Sequence, residues 1–282
     1  MTETISSSPS KVDSILVVGA GEFGLSLALE LRQRGYESVT VLDRFFPPVP
    51  DGSSVDVSRI VRSDDGDAPL KKLYPSIQAD FSGKPALHHR QGGWADAGAS
   101  ISELAKRCSF EGVAFQTGLR GTVTSLVTPE DPDGSIGVKV ATGDVLRARR
   151  VVLATGAWTN RLLDAEHALS ASGQSVAFVQ LTDSEAAELK DCPVMIDFET
   201  GVFCFPPYPG TNLLKLAWHS YGVATEVEAG NDNDTTRHLN RRTISAPKLY
   251  GRNDNSGFIP EDADLSLRRG LKLFSPKLRD RP

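Results

Sequence analysis

Residues 15–44, ILVVGAGEFGLSLALELRQRGYESVTVLDR, constrain the fold more than any other stretch of the chain. Ile15 to Val18 is a short apolar run rich in β-branched residues, suited to a strand buried on both faces. Gly19, Gly21 and Gly24 follow in G-x-G-x-x-G spacing. Leu25, Leu27, Ala28, Leu29 and Leu31 continue as a helix with an apolar face, ended by Gly35. Val39 to Leu42 reads as a second strand, and Asp43 stands 19 residues beyond Gly24. A strand–turn–helix–strand unit of this kind binds a dinucleotide. The first glycine permits the tight turn, the second lets the backbone approach the pyrophosphate, and the third lets the helix pack closely on the strand. The helix N-terminus offers N–H groups and a positive dipole end to the phosphates. Asp43 would accept the ribose hydroxyls, which favours NAD or FAD over NADP. This segment does not choose between NAD and FAD, and a glycine-rich turn in an unrelated α/β protein is the competing reading.

Composition narrows the class. A chain of 282 residues, 39% hydrophobic and 24% charged, has the make-up of a soluble globular protein with one large or two modest domains. The formal charge of −5 makes no electrostatic case for nucleic acid or an anionic membrane. No apolar run approaches the length of a membrane span. The polar stretch Met1 to Asp13 lacks the apolar core of a secretory signal, so a cytoplasmic location is expected. Cys108, Cys192 and Cys204 lack metal-ligand spacing and fit a reducing compartment. The five histidines form no HExxH array, and no metal is expected.

Further along, residues 1–11 read as disordered, and Phe45 to Ser54, with three prolines and a glycine, as irregular. Val57 to Arg62 reads as extended or as the entry to a helix, and Pro69 to Tyr74 as the start of a helix interrupted by Pro75. Ala97 to Gly112 has a helical face of Ile101, Leu104, Ala105 and Cys108, followed by a strand over Val113 to Thr117. Gly121 to Val127, Ile136 to Ala141 and Val145 to Arg149 alternate as an antiparallel meander does. Arg150 to Ala154 is an apolar strand ending in Thr155-Gly156-Ala157-Trp158. An NAD dehydrogenase would continue with alternating strands and helices. A meander followed by a strand ending at a glycine instead favours FAD.

Ser172 to Leu181, Val194 to Phe198, Val202 to Phe205 and Asn212 to Trp218 are strand-like and suggest a separate antiparallel sheet. Residues 229–257, rich in Asn, Asp, Arg and Gly, read as a long loop or disordered insertion. Pro260 to Phe274 reads as a helix with proline near its start and acids in its first turn. The expected fold class is α/β: a Rossmann-like FAD-binding domain with a β-meander (residues 12–168), and a smaller antiparallel α+β substrate domain (169–250). Residues 251–282 are expected to return a helix to the FAD domain.

These landmarks resemble the FAD-dependent amine and amino acid oxidases that include monomeric sarcosine oxidase, pipecolate oxidase and the fructosyl amino acid oxidases. Four motifs carry the resemblance: GAGEFG with Asp43-Arg44; Ser58-Arg59-Ile60-Val61-Arg62; the run from Ala154 to Asp164; and the segment from Leu214 to Gly222. The resemblance implies an FAD cofactor held by Gly19, Gly21, Glu22, Phe23, Gly24, Asp43, Arg44, Arg59, Val123 and Gly156. It implies catalytic roles for Lys215, His219 and Arg62. Lys215 would sit over the flavin and help dioxygen accept electrons, as a fixed ammonium stabilises the anion that forms. Arg62 would pair bidentately with a substrate carboxylate. Fructosyl amino acid oxidases tend to carry an acid at the position of His219, so the histidine points toward sarcosine- or pipecolate-like substrates. Read from the residues alone, Lys215 could equally be an exposed strand residue, His219 a hydrogen-bonded core residue, and Arg59 and Arg62 solvated charges.

Implied partners are a small amine or amino acid and dioxygen, with a protein partner over a shortened edge as a further expectation. Relatives carry a longer segment between the motif at Arg62 and the region matching Gly92-Gly93-Trp94, and continue past the equivalent of Phe274. None of the three cysteines matches the family's flavin-linking position. The chain therefore reads as a shortened family member, with a catalytically inactive, truncated nucleotide-binding remnant or a fructosyl amino acid oxidase-like protein as the alternative. Peroxisomal targeting of full-length relatives finds no matching C-terminal tripeptide here.

Overall fold

The structure is a computed structural model that describes residues 10–61, 74–79, 87–88, 92–128, 136–165, 167–228, 243–247 and 259–281. The chain forms two compact units: residues 1–55, 98–171 and 225–252, and residues 56–97, 172–224 and 253–282.

The first unit is built on β1 (Ser14–Val18), whose alternate residues serve two cores. Ile15 and Val17 join Leu25 and Ala28 of α1 (Glu22–Gln33), together with Ile101, Ala105 and Cys108 of α2 (Ala97–Phe110). Leu16 and Val18 point the other way, into a cluster with Val138, Val140 and Ala148. This two-sided burial explains why the strand reads as a continuous apolar run, because successive side chains alternate faces. Val17 is fully buried, and burying a valine of this kind stabilises the fold by about 1.5–3 kcal/mol.

On one side β1 pairs in parallel with β2 (Ser38–Leu42), and on the other with β9 (Arg150–Leu153). β5 (Ala114–Gln116) extends the parallel sheet beyond β2. The expected meander is present as β6 (Val123–Val127), β7 (Ile136–Val140) and β8 (Val145–Ala148), paired antiparallel in that order.

In the second unit, β3 (Arg59–Val61) pairs with β4 (Gly93–Ala95), which settles the segment around Arg59 as extended. Its main sheet has the order β11 (Val176–Gln180), β14 (Leu213–Trp218), β13 (Val202–Cys204), β12 (Met195–Asp197), all antiparallel. A short pair, β10 (Ser172–Gly173) with β15 (Val223–Ala224), adjoins it in sequence. α3 (Asp183–Leu189) was not anticipated, although its signal was present. Thr182 and Glu185 form a reciprocal capping box, the Thr-x-x-Glu pattern that starts helices.

Two expectations need correction. The helix after residue 260, α4 (Glu261–Phe274), does not return to the dinucleotide unit. Its stripe of Ala263, Leu267, Gly270, Leu271 and Phe274 is buried, and its leucines and Phe274 share a core with Val202, Cys204, Leu214 and Leu216 of the antiparallel sheet. The physical reason is a close fit: a Cβ on Gly270 would lie 2.2 Å from Val202 Cγ1, so only glycine admits this approach. The stretch 229–257 is also not wholly irregular. Thr243–Ser245 forms β17, antiparallel to β16 (Glu226–Glu228), with Ile244 buried. The helix expected from Pro69, and residues 1–9 of the disorder expected over residues 1–11, lie outside the described residues; Lys11 is ordered, its carbonyl accepting from Glu37 N–H at 2.8 Å.

Candidate functional site

The turn after β1 explains its glycines one by one. Gly19 has φ +111°, and a Cβ there would lie 2.3 Å from the carbonyl oxygen of Ala154, where β9 ends beside the turn. A Cβ on Gly24 would lie 1.9 Å from the Gly19 carbonyl oxygen. Both glycines are thus required by protein atoms alone. Gly21 is different: its backbone is extended, and a Cβ would meet nothing closer than Ser54 Oγ at 3.3 Å. The space beside Gly21 belongs to the cleft.

That cleft lies within the first unit and has a volume of about 1410 Å³. Ordinary small-molecule sites span about 300–1,000 Å³, so this one suits an extended ligand. Gly19, Gly21, Glu22, Phe23, Asp43, Arg44, Val123 and Gly156 all line it, while Gly24 packs beneath the turn. Asp43, at the end of β2, accepts hydrogen bonds from Ala20 N–H at 2.7 Å and Arg44 N–H at 2.6 Å. Burial pushes its carboxyl above the ordinary aspartate value, and these N–H donors pull it back only in part. Arg44 is fixed by Asp51 at 2.7 Å and lies 5.4 Å from the centre of the Trp158 ring.

Three lining residues were missed as site residues in the sequence. Ser54 accepts from Glu22 N–H at 3.1 Å and so caps the start of α1. Asp51 orients Arg44. Both come from the irregular stretch after β2, where no periodicity marks a role. Trp158 presents a buried indole N–H with no hydrogen-bond partner among the described residues. A buried donor without an acceptor is costly unless a ligand supplies one. The glycine cradle, the cleft volume and this unsatisfied donor all fit an adenine dinucleotide.

The second constellation lies in the second unit. Lys215, in the middle of β14, is only 3% exposed. Its neighbours Leu214 and Leu216 face the core under α4, so Lys215 points to the opposite face, across from Phe178 of β11. Its Nζ donates to Asp56 Oδ2 at 2.5 Å and to the Ser58 carbonyl at 2.9 Å, and stands 4.9 Å from the centre of the Phe205 ring. Burial draws the ammonium below the ordinary lysine value, while Asp56 draws it back up. Asp56 Oδ1 accepts from Val57 N–H at 2.8 Å, so the carboxylate is held in orientation. Arg59 is half-exposed and approaches the same carboxylate at 3.7 Å. It lies with this group and not among the residues lining the dinucleotide cleft. His219 is exposed just beyond the end of β14, and its backbone N–H donates to the Gly201 carbonyl at 2.9 Å. Arg62 lies outside the described residues.

A parallel-sheet unit with a glycine-cradled cleft, joined in one chain to an antiparallel unit holding a buried cation, defines a dinucleotide-dependent flavoprotein class. Residues 14–75 and 65–280 match the FAD dependent oxidoreductase (DAO) family, and the chain belongs to it. The chain is 26% identical to L-saccharopine oxidase of Schizosaccharomyces pombe, over 95% of this chain and 77% of that protein. It is 31% identical to the amino acid oxidase fsqB of Aspergillus fumigatus, over 72% of this chain and 38% of that one. The crystal structure of the fructosamine oxidase Amadoriase II from Aspergillus fumigatus superposes with a TM-score of 0.80, at 26% identity, covering 97% of this chain and 74% of that one. The protein is an FAD-dependent oxidoreductase of the amine and amino acid oxidase type. The alignment with saccharopine oxidase runs over 348 positions, more than the 282 residues here, so the relative carries segments that this chain lacks. The family match comes as two segments that overlap over residues 65–75.

Proposed function

We propose that this protein oxidises the C–N bond of a small secondary amine or amino acid, with dioxygen as electron acceptor. Bound FAD supplies the redox chemistry, by which a hydride from the carbon beside nitrogen and a proton from the nitrogen end on dioxygen, giving an imine and hydrogen peroxide. The residues of this chain bind, orient and polarise. Gly19, Gly21, Glu22 and Phe23 offer backbone to the pyrophosphate at the start of α1, with Gly24 setting the helix close beneath. Asp43 accepts the ribose hydroxyls, Arg44 and Trp158 flank the same cleft, and Val123 and Gly156 bound it. Lys215 supplies a fixed positive charge to dioxygen as it takes its electrons. Arg62 is the cation for a substrate carboxylate, and His219 favours a sarcosine- or pipecolate-like substrate over a fructosyl amino acid. A cytoplasmic location belongs to the same reading.

One observation carries it: a lysine on a sheet face, almost wholly buried yet held as a charge by Asp56 and a carbonyl. A buried ammonium is expensive unless paired. Purified protein should show a bound-flavin spectrum and release peroxide in a peroxidase-coupled assay with sarcosine or pipecolate. A colourless protein that cannot be loaded with FAD overturns the activity. Turnover of a fructosyl amino acid alone overturns the substrate class.

A further inference from the structure

The geometry points to a role for Asp56 that neither the motifs nor the family match assigns: we infer that Asp56 is a positioning residue that fixes the Lys215 ammonium and favours its charged form. The inference rests on the oxidase reading only for its kinetic consequence, since the charge state of Lys215 is a property of the chain itself.

The arrangement is specific. The two residues are far apart in sequence, Asp56 leading into β3 and Lys215 in the centre of β14, and meet at 2.5 Å. One carboxylate oxygen is held by the Val57 N–H at 2.8 Å, which leaves the other aimed at Nζ. The Ser58 carbonyl takes a second ammonium N–H at 2.9 Å, and the Phe205 ring presents its π-system at 4.9 Å. A carboxylate, a carbonyl and an aromatic ring all favour the charged form of an amine over the neutral one. Against them stand near-total burial and the like charge of Arg59, whose guanidinium lies 3.7 Å from Asp56.

The charged groups acting on Lys215 are therefore Asp56 and Arg59, both from the segment around β3. From the sheet itself, β13 runs on into Phe205, β11 places Phe178 opposite, and β14 leads on to the exposed His219, four residues away. α4 packs on the other face. Asp56 is thus the one anion among the described residues that contacts the ammonium. Removing its charge while keeping its shape leaves burial and Arg59 opposed only by a carbonyl and a ring.

The consequence is a new pH dependence. With Asp56 in place, the carboxylate favours the cationic lysine against the effect of burial. In Asp56→Asn the lysine loses its proton as pH rises through a lowered pKa. The oxygen rate then falls about tenfold per pH unit above that point, toward the roughly hundred- to thousand-fold loss expected for a missing charge at a developing anion. A pair that serves only folding gives another pattern: lower yield or a lower melting temperature, with any rate loss equal at every pH.

Two measurements separate these outcomes. The first labels lysine with 15N, assigns the Lys215 Nζ signal by its absence in Lys215→Arg, and titrates it in wild type, Asp56→Asn and Asp56→Glu. It requires neither flavin turnover nor a substrate. Lys215 should lose its proton at least about one pH unit lower in Asp56→Asn than in wild type, with Asp56→Glu close to wild type. The second mixes photoreduced, FAD-loaded protein with oxygen from pH 6 to 9, with no amine present. An alkaline limb that begins at lower pH in Asp56→Asn than in wild type, and returns to the wild-type position in Asp56→Glu, supports the role. A Lys215 titration unchanged in Asp56→Asn overturns it. If Asp56→Asn does not fold, the same titration in Asp56→Ser decides. Failure to turn over any amine would count against the proposed oxidase activity and leave the titration result standing.

Discussion

Gly21 and Gly24 sit three residues apart in one turn, yet an added methyl group should fail at each for a different reason. At Gly24 a Cβ would stand 1.9 Å from the Gly19 carbonyl oxygen, which cannot move without breaking the turn between β1 and α1. Overpacking of this kind costs about 1–3 kcal/mol or more, and the cost falls on the protein with or without FAD. At Gly21 the backbone is already extended, with φ −78° and ψ −174°, a conformation open to alanine. The nearest protein atom is a serine hydroxyl at 3.3 Å, which can shift. The only intrinsic loss is that of a helix N-cap, where alanine is poorer than glycine by up to about 1 kcal/mol. Gly21→Ala should therefore melt within about 2–4 °C of wild type in the absence of FAD. Its methyl group would instead occupy the space where the pyrophosphate meets the backbone, so FAD affinity should fall by at least about tenfold, or roughly 1.4 kcal/mol. Thermal melts without FAD, paired with flavin-fluorescence titrations, read both quantities. Gly21→Ala binding FAD as tightly as wild type would refute the assignment of this turn to the pyrophosphate. So would a loss of FAD-free stability in Gly21→Ala as large as in Gly24→Ala.

Two further outcomes follow from the packing. Gly270→Ala would place a Cβ 2.2 Å from Val202 Cγ1 and should destabilise the antiparallel unit by about 1–3 kcal/mol, seen as a lowered denaturant midpoint without loss of FAD binding. The thiols of Cys108, Cys192 and Cys204 are buried, and burial pushes Cys108 up to about 11 and the other two upward as well. Because the thiolate is the reactive form, all three should resist alkylation at pH 8 in the folded protein and react together once it is unfolded. Rapid labelling of any one in the native state would contradict their placement.

The dinucleotide unit was legible because its signals are local. A strand buried on both faces, three glycines at fixed spacing and an acid at the end of the next strand all lie within residues 15–44, and the structure places them as β1, the turn, α1 and β2. The meander announced itself through period-two alternation, and α4 through the proline and acids at its start. What α4 packs against was not legible, since an amphipathic stripe states that a face is buried and not which sheet buries it. The answer lies in Gly270 matching Val202, a contact across 68 residues of sequence. The partner of Lys215 was hidden for the same reason. The lysine was singled out by its motif, but Asp56 lies in an irregular stretch with no periodicity, and only the folded chain brings it to Nζ. Trp158 was noted as part of a motif, while its unsatisfied indole N–H appears only with the cleft around it.

The central claim is that this protein reduces dioxygen with the help of the charge on Lys215, and Lys215→Met tests it most directly. Methionine keeps much of the length and apolar bulk of the stem while removing the ammonium. The flavin of the variant, reduced and mixed with oxygen in a stopped-flow instrument, should reoxidise roughly a hundred- to thousand-fold more slowly than wild type, a loss of about 3 to 4 kcal/mol of stabilisation at the developing anion. Reduction of the flavin by amine substrate should stay near the wild-type rate. An oxygen rate unchanged by the substitution would contradict the account, because it would remove Lys215 from the reaction and with it the structural case for an oxidase.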